Sequence, residues 1–337
     1  MNFMYTRGIE IRKNILPFKE FHSPSKPYLD ISYTQLALIE EFNNSVKDGK
    51  IAFESIPCLC GCTVFDLIAS VDRYSMLQKT VLCTRCGLIQ SCPRMTKTAY
   101  SDFYSSDYYR NSYEPDGYLS LYRKKYCQAT GQHIFNEIDK IKKINSGISV
   151  LEIGAGGGWN LLPFITAGTK VLGIDYSPSL VSLGLEYGIN MVQGSIDDTE
   201  GIFEVIIINH ALEHLLNPIE SLKSITGHLR DGGLIYIAVP NIFNFGMGQL
   251  QNAHTYYFDP KTFVYYCSVS GLKLISFGPA QNIHMFGIYE VGHSNADLTN
   301  HFYEVYRYLR KFTLRRYLEN ISNYSYIGRI KDLILSR

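Results

Sequence analysis

The sequence predicts an α/β protein: a doubly wound, mostly parallel sheet whose last strand is antiparallel, preceded by a small cysteine-rich module. Three observations predict it. Between residues 146 and 292 short apolar segments alternate with helical ones, the pattern of a parallel sheet covered by helices on both faces. The first of these segments, 148–153, runs directly into a glycine-rich turn at 154–158. Six of the eight cysteines fall between Cys58 and Cys92, in a stretch too short to be stable on its own core.

The elements follow in order. Residues 1–55 are a lead-in segment, with Pro17, Pro24 and Pro27 followed by residues 34–46, where Leu36, Leu38, Ile39, Phe42 and Val46 suit a helix. Residues 56–95 form the cysteine module, with strand-like pieces at 64–69 and 80–83. Residues 96–145 are a tyrosine-rich helical segment in which Tyr100, Tyr104 and Tyr108, then Tyr118, Tyr122 and Tyr126, recur at four-residue intervals. Pro115 and Gly117 separate two helices there, and a third is expected over 130–142. Residues 146–292 read as strand 148–153, helix 159–167, strand 170–174, helix 178–187, strand 190–193, strand 203–209, helix 218–229, strand 234–239, helix 260–270 and strands 273–277 and 283–290. Gly278-Pro279 is too short a link for a parallel crossover, so the last two strands should be antiparallel. Residues 293–337 are a basic helical tail.

Composition removes several function classes. With 32 basic and 31 acidic side chains the formal charge is +1, and 46% of the residues are hydrophobic, which describes an ordinary globule rather than a disordered chain. Near-zero charge argues against a DNA partner, because such binding needs many cationic contacts to phosphates. Arg7, Glu10, Arg12 and Lys13 interrupt the start of the chain, so no signal peptide is expected. Apolar runs such as 205–208 and 234–239 are far short of the roughly 18 residues that mark a membrane span. A cytoplasmic location is the expectation, and in that reducing compartment clustered cysteines read as metal ligands rather than disulfides.

The strand and turn Val150-Leu-Glu-Ile-Gly-Ala-Gly-Gly-Gly-Trp159 let a cofactor approach the backbone closely. Asp175, 19 residues after Gly156, ends the next strand where a ribose diol would be hydrogen-bonded. The turn is not G-x-G-x-x-G, and Glu152 beside it would repel a pyrophosphate while suiting a cationic ligand that carries an amino group and a sulfonium. At this point residues 145–290 resemble the class I S-adenosylmethionine-dependent methyltransferases, whose sheet is Rossmann-like. The matching segments are Leu151-Glu-Ile-Gly-Ala-Gly156, Val171-Leu-Gly-Ile-Asp175, Gly194-Ser-Ile-Asp197, Phe203 through His210, Ala211-Leu-Glu-His-Leu-Leu-Asn-Pro218, Leu229-Arg-Asp-Gly-Gly-Leu234 and Val239-Pro-Asn241. The resemblance implies S-adenosyl-L-methionine as cofactor, with Glu152, Gly154, Ala155 and Gly156 at its methionine part, Asp175 on the ribose, Ile196 and Asp197 near adenine, and Asn209 beside the sulfonium. Asp197 and Asn209 are also residue types that cap helices.

Cys83-Thr-Arg-Cys86-Gly87 has the form of a zinc knuckle, and Cys60-Gly61 repeats its end. On the other side Cys58 and Cys62 have permitted spacing as well, so the expected set is Cys58, Cys60, Cys83 and Cys86, with Cys62 as the substitute in the first pair. Four thiolates close a site, so the Zn2+ would be structural. Residues 55–290 resemble zinc-containing sugar C-methyltransferases and related polysaccharide-cluster enzymes, the similarity extending to Asp72-Arg73-Tyr74, Gly87-Leu-Ile-Gln90 and Pro93-Arg94-Met95.

A carbon or hydroxyl acceptor needs a base, and histidine is the natural one near neutral pH. The resemblance places a base in a Tyr-x-Glu-His-x-x-Tyr-Phe segment, here Gln251-Asn-Ala-His254-Thr-Tyr-Tyr257-Phe258. Ala253 in place of the glutamate leaves O- and N-methylation open beside C-methylation. His254 and His214 are the catalytic candidates, with Glu213 and His210 behind them. Tyr104, Tyr108 or Tyr109 could close over the cofactor. The resulting expectation is an enzyme that methylates a small molecule, a nucleotide-linked sugar or glycan unit. The alternatives are an RNA methyltransferase gripping RNA through the zinc module, a non-catalytic cofactor-binding protein, and last a dehydrogenase. Residues 300–337 hold eight Lys or Arg against Glu304, Glu319 and Asp332, and Phe302, Val305, Tyr306, Leu309 and Phe312 share one helical face. This face would dock on the chain itself, on a partner helix or on an anionic membrane surface.

Overall fold

The computed structural model describes residues 8–24, 27–105, 121–195, 198, 200–244, 246–280 and 284–322. Tyr108, Tyr109, Ile196 and Asp197, and the tail beyond 322, lie outside them. Strands β1 (Glu10–Asn14), β2 (Phe53–Glu54), β3 (Val64–Val71), β4 (Leu77–Cys83), β5 (Ile89–Ser91) and β6 (Arg94–Met95) belong to the N-terminal part, with helix α1 (Tyr33–Lys47) among them. Helices α2 (Lys97–Ser105) and α3 (Leu121–Asp139) lead into β7 (Ser149–Ile153), α4 (Leu162–Thr166), β8 (Lys170–Asp175), α5 (Pro178–Glu186), β9 (Met191–Gln193) and β10 (Phe203–Asn209). Helix α6 (Pro218–Thr226), β11 (Leu229–Pro240), β12 (Tyr256–Tyr257), α7 (Pro260–Val269), β13 (Leu272–Pro279), β14 (His284–Val291) and α8 (His301–Ser322) complete the order.

The larger sheet has the order β13-β14-β11-β10-β7-β8-β9. β7, β8, β9, β10 and β11 are parallel, whereas β14 runs antiparallel to β11 and to β13, as expected from a short link, although Gly278 and Pro279 are the last residues of β13 and the link is 280–283. From β7 the chain winds one way through β8 and β9 and then the other through β10 and β11. The crevice where ligands bind such sheets therefore opens at the carboxyl ends of β7 and β10. Central β10 carries Val205, Ile206, Ile207 and Ile208, all fully buried, and each such side chain contributes roughly 1.5–3 kcal/mol on burial.

The helix expected at 218–229 ends at Thr226, and Leu229 already begins β11; two other helix boundaries differ from the sequence reading for definable reasons. Gly158 takes a left-handed φ of 72° and Pro163 lacks an N–H donor, so residues 159–167 divide into a 3-10 turn at Trp159–Leu161 and the short α4. The separate helix expected at 130–142 is instead continuous with Tyr126 in α3. Where caps are strong the boundaries agree closely: the Ser32 side chain and Gln35 form a reciprocal capping box before α1, and Asp259 with Thr262 does so before α7.

The cysteine region does not stand apart. Its sheet has the order β1-β3-β4-β5-β12, so β1 comes from the lead-in segment and β12 from residues 256–257, inside the larger domain. One apolar cluster runs from Cys58, Cys83 and Leu88 through Phe258 and Tyr266 to Ile206 and Ile237. A stretch of this size cannot exclude water alone, and it shares its core with the larger sheet.

Helix α8 packs its apolar face on this smaller sheet. Val305 and Leu309 are fully buried against Phe21, Val71 and Leu82, flanked by Phe302, Tyr306 and Phe312. The face predicted from the sequence is thus covered by the chain itself and is not available to a partner or a membrane. His301 fixes the start of the helix: fully buried, it lies 2.9 Å from Asp259 Oδ1 through Nε2 and 2.9 Å from Glu304 Oε2 through Nδ1. Burial alone would lower its pKa, but hydrogen bonds and charge from Asp259 and Glu304 outweigh it and raise the value. A raised imidazole contributes stability that is fully present below the ordinary histidine range and is lost as pH rises through the folded value. His301→Gln is expected to cost about 3 kcal/mol at pH 6, the scale for breaking a buried pair, and to cost less at pH 9. Urea unfolding at the two pH values would check this, and an equal loss at both would contradict it.

Candidate active site

The turn after β7 makes the floor of the crevice. Gly154 takes φ 68°, and a Cβ there would lie 2.9 Å from the Ala211 Cβ, so the turn can press against the end of β10 only as glycine. The Asp175 carboxylate at the tip of β8 accepts hydrogen bonds from the Gly156 N–H at 2.7 Å and the Ser177 N–H at 2.9 Å. Burial raises its pKa against those two donors, and each oxygen keeps lone-pair capacity for a ribose hydroxyl. Glu152 is fully buried and accepts a 2.7 Å hydrogen bond from Asn160 Nδ2 on Oε1, while its Oε2 has no hydrogen-bond partner among the described residues. Burial pushes this carboxyl up to about 8, with the Asp175 charge adding to the shift and the Asn160 bond opposing it.

Asn209 ends β10 and lines the same cleft, of about 890 Å³. The turn that follows it, Leu212–His214, has Ala211 at its N-cap and no side-chain cap, so Asn209 is not used as a cap. His210, next in sequence, sits at φ 55°, a left-handed conformation that costs a non-glycine residue on the order of 1 kcal/mol or more and is commonest at functional sites. Its Nδ1 is 3.4 Å from Glu213 Oε1.

His214 and His254 come from different segments and meet with ring centroids 4.8 Å apart at 87°. His214 Nδ1 lies 3.0 Å from the Ala253 carbonyl and 2.8 Å from Tyr104 Oη. A carbonyl only accepts, so Nδ1 carries the proton and Nε2 keeps the lone pair. Burial lowers the pKa of both imidazoles, that of His254 strongly. Burial also pushes the Glu213 carboxyl up, but the His210 hydrogen bond and the charges of His214, His210 and His254 prevail and hold it at about 2.

The cysteine-rich part positions His254. The Ser91 N–H donates to the Thr255 carbonyl at 2.9 Å and Ser91 Oγ to the His254 carbonyl at 2.8 Å. Asp72 Oδ2 accepts from the Asn252 N–H at 2.9 Å, and the Thr255 N–H donates to the Glu213 carbonyl at 2.8 Å. One wall of the cleft is therefore stitched to β5 and to the β3–β4 turn.

Within that part, Cys58 Sγ lies 3.5 Å from Cys86 Sγ and Cys60 Sγ 3.6 Å from Cys83 Sγ, and all four sulfurs fall within 4.8 Å of one another. Zinc–sulfur bonds of about 2.3 Å in a tetrahedron place sulfurs about 3.8 Å apart, so these residues could hold such an ion. Gly61 and Gly87 take φ 78° and 75° at the two turns. Cys62 turns away, its Sγ 3.5 Å from the Val64 carbonyl.

Residues 121–276 match a family model described as a methyltransferase domain. The chain carries a class I S-adenosylmethionine-dependent methyltransferase domain. Ubiquinone biosynthesis O-methyltransferase of Rickettsia conorii is 26% identical over 113 residues, covering 31% of this chain and 39% of the relative. That of Rickettsia prowazekii is 29% identical over 115 residues, covering 31% of this chain and 46% of the relative. The chain thus spans less than half the length of these curated relatives. Among solved structures, Burkholderia thailandensis 1,6-didemethyltoxoflavin-N1-methyltransferase is 15% identical with a TM-score of 0.47, covering 61% of this chain and 96% of its own.

Sequence reasoning missed residues that the methyltransferase cleft contains. His284 lines it with a buried Nδ1 that has no hydrogen-bond partner among the described residues, and burial lowers its pKa to about 4. A signal existed, since an antiparallel strand beside β11 must begin where β11 ends, and His284 pairs with Pro240. His133 on α3 and Asn160 had no comparable signal.

Proposed function

We propose that this protein transfers the methyl group of S-adenosylmethionine to a hydroxyl of a small molecule, a nucleotide-linked sugar or glycan unit. The observation that carries the reading is the crevice at the ends of β7, β8 and β10, lined by Gly154, Ala155, Gly156, Asp175 and Asn209 together with His214 and His254, with Glu152 buried behind the glycine turn. Glu152 would face the cationic methionine end, Gly154, Ala155 and Gly156 would lie against its backbone atoms, and Asp175 would accept from the ribose. When bound, the sulfonium supplies an electrophilic methyl carbon and leaves as the thioether after an in-line displacement. His214 and His254 are the residues positioned to orient the acceptor hydroxyl. A neutral imidazole there takes its proton as the carbon–oxygen bond forms and the carbon–sulfur bond breaks. The Ala253 carbonyl, accepting from Nδ1, holds His214 in the tautomer that leaves Nε2 basic. Oxygen is favoured over carbon because Ala253 stands where the sugar C-methyltransferases have glutamate, and because the curated relatives are named O-methyltransferases.

The cysteine cluster is read as a structural Zn2+ site formed by Cys58, Cys60, Cys83 and Cys86. Its role is to hold the wall that carries His254, and the closed thiolate set leaves no position for substrate. The RNA-binding alternative has less support, since Arg73, Lys79 and Arg85 are the only cationic residues from Cys58 to Cys92.

Calorimetry with S-adenosylhomocysteine tests the cofactor, and a screen of nucleotide sugars and free glycans with labelled S-adenosylmethionine tests the acceptor. Turnover only on an RNA substrate would overturn the acceptor class. The pH dependence is a further check. Glu152, raised to about 8, must lose a proton to pair with the ligand's ammonium group. Affinity should therefore rise with pH up to about 8, by at most roughly tenfold per unit, and then level off. Glu152→Gln should bind more weakly and with a flat profile over pH 6–8, whereas an unchanged slope would remove Glu152 from the cofactor site.

A further inference from the structure

Five of the nine histidines, His133, His210, His214, His254 and His284, line this single cleft. Three side chains that can ligate a metal lie together at one end of it. One carboxylate oxygen of Glu213 and one ring nitrogen each of His214 and His254 lie within 4.8 Å of one another. Glu213 is 1% exposed, and its Oε2 has no hydrogen-bond partner among the described residues. A buried carboxylate oxygen without a partner costs several kcal/mol unless something positive meets it.

We propose that Glu213, His214 and His254 hold a divalent cation of the zinc, cobalt or manganese class, distinct from the cysteine site. Two imidazoles and one carboxylate are a borderline-hard donor set that suits these ions and leaves positions open. The surroundings have the form that metal ligands need. The proton on His214 Nδ1, shared with Tyr104 Oη and the Ala253 carbonyl, fixes its tautomer and leaves Nε2 as the donor. Glu213 Oε1 is braced by His210 at 3.4 Å, and the Thr255–Glu213 backbone bond of 2.8 Å ties the two ligand segments together. With the ion bound, both imidazoles are ligands rather than bases. An acceptor hydroxyl entering an open position would ionise on the metal, its proton leaving to water.

The site does not depend on the methyl-transfer reading, and one set of proteins separates the two. The full chain is stripped of metal and titrated with cobalt. Elemental analysis and calorimetry should give two ions per chain, one with intense sulfur-to-cobalt charge-transfer absorption and one with only the weak bands of nitrogen and oxygen ligation. Glu213→Gln/His254→Gln should keep the thiolate spectrum and lose at least about 100-fold in affinity for the second ion. Cys60→Ser/Cys83→Ser should lose the thiolate spectrum. Should the double glutamine variant fold poorly, His254→Gln alone gives the same readout. One ion per chain, or two ions whose binding the glutamine variants leave unchanged, overturns the proposal. Binding of S-adenosylhomocysteine without a second ion would leave the methyltransferase reading standing, and a second ion without that binding would do the reverse.

Discussion

Asp175→Ala is expected to weaken S-adenosylhomocysteine binding by about 100- to 1,000-fold while leaving the protein folded. Charge-assisted hydrogen bonds contribute about 1.5–3 kcal/mol each, and a carboxylate at the tip of β8 would make two with a ribose diol. The same oxygens also accept from the Gly156 N–H at 2.7 Å and the Ser177 N–H at 2.9 Å. Removing them loosens the turn that must lie against the methionine part. Asp175→Asn keeps an oxygen acceptor but loses the charge and one acceptor, so its loss should be smaller, about tenfold to 100-fold. Asn209→Ala, at the end of β10 with β7 between it and β8, should lose less than either. Titration calorimetry on the four proteins gives the order, and an Asp175→Ala variant with wild-type affinity would place the nucleoside elsewhere.

The second large effect is expected at the cysteine cluster. Cys83→Ser should release one zinc per chain and lower the melting temperature by about 10 °C or more. Structural zinc in small modules contributes an apparent 10–16 kcal/mol, comparable to or greater than the whole net stability of a typical domain. The effect should spread beyond residues 56–95, because one apolar cluster joins Cys83 and Cys86 to Ile206 and Ile237. Tyr266 on α7 also donates a 3.3 Å hydrogen bond to Cys86 Sγ. Cys62→Ser is the control: with its sulfur turned to the Val64 carbonyl at 3.5 Å, it should retain the metal and most of the stability. Zinc content and thermal melts of the two variants, with a chelator added to wild type, decide the matter. Equal zinc in both would refute the assigned ligand set.

On the proposed reading these two effects act on different ends of the cleft. The cofactor end would be built by consecutive βα units, so Asp175 should report on that end. The acceptor end would lie where β5, α2 and the 250–257 segment meet, so damage to the cysteine cluster should disturb acceptor binding before cofactor binding. The Ser91 bonds to residues 254 and 255 are the mechanical link.

The sequence by itself determined the elements whose signals are local. The alternation after residue 146, the turn at 154–158, Asp175 at the end of the second strand and the antiparallel last pair all follow from periodicity, glycine placement and link length, which act within about 30 residues. The spacing of Cys83 and Cys86 likewise specifies a knuckle by itself. Sequence spacing left Cys58, Cys60 and Cys62 as alternatives for the other pair, and only the folded chain separates them, because the choice depends on which sulfur the β3 backbone captures. Long-range pairing decided the rest. Tyr256 and Tyr257 leave the larger domain to close the edge of the N-terminal sheet. This brings His254 to His214, 40 residues away in sequence, and buries Glu213 between imidazoles. Nothing local encodes that meeting, since it is set by strand partners and a shared apolar core whose members are contributed from across the chain.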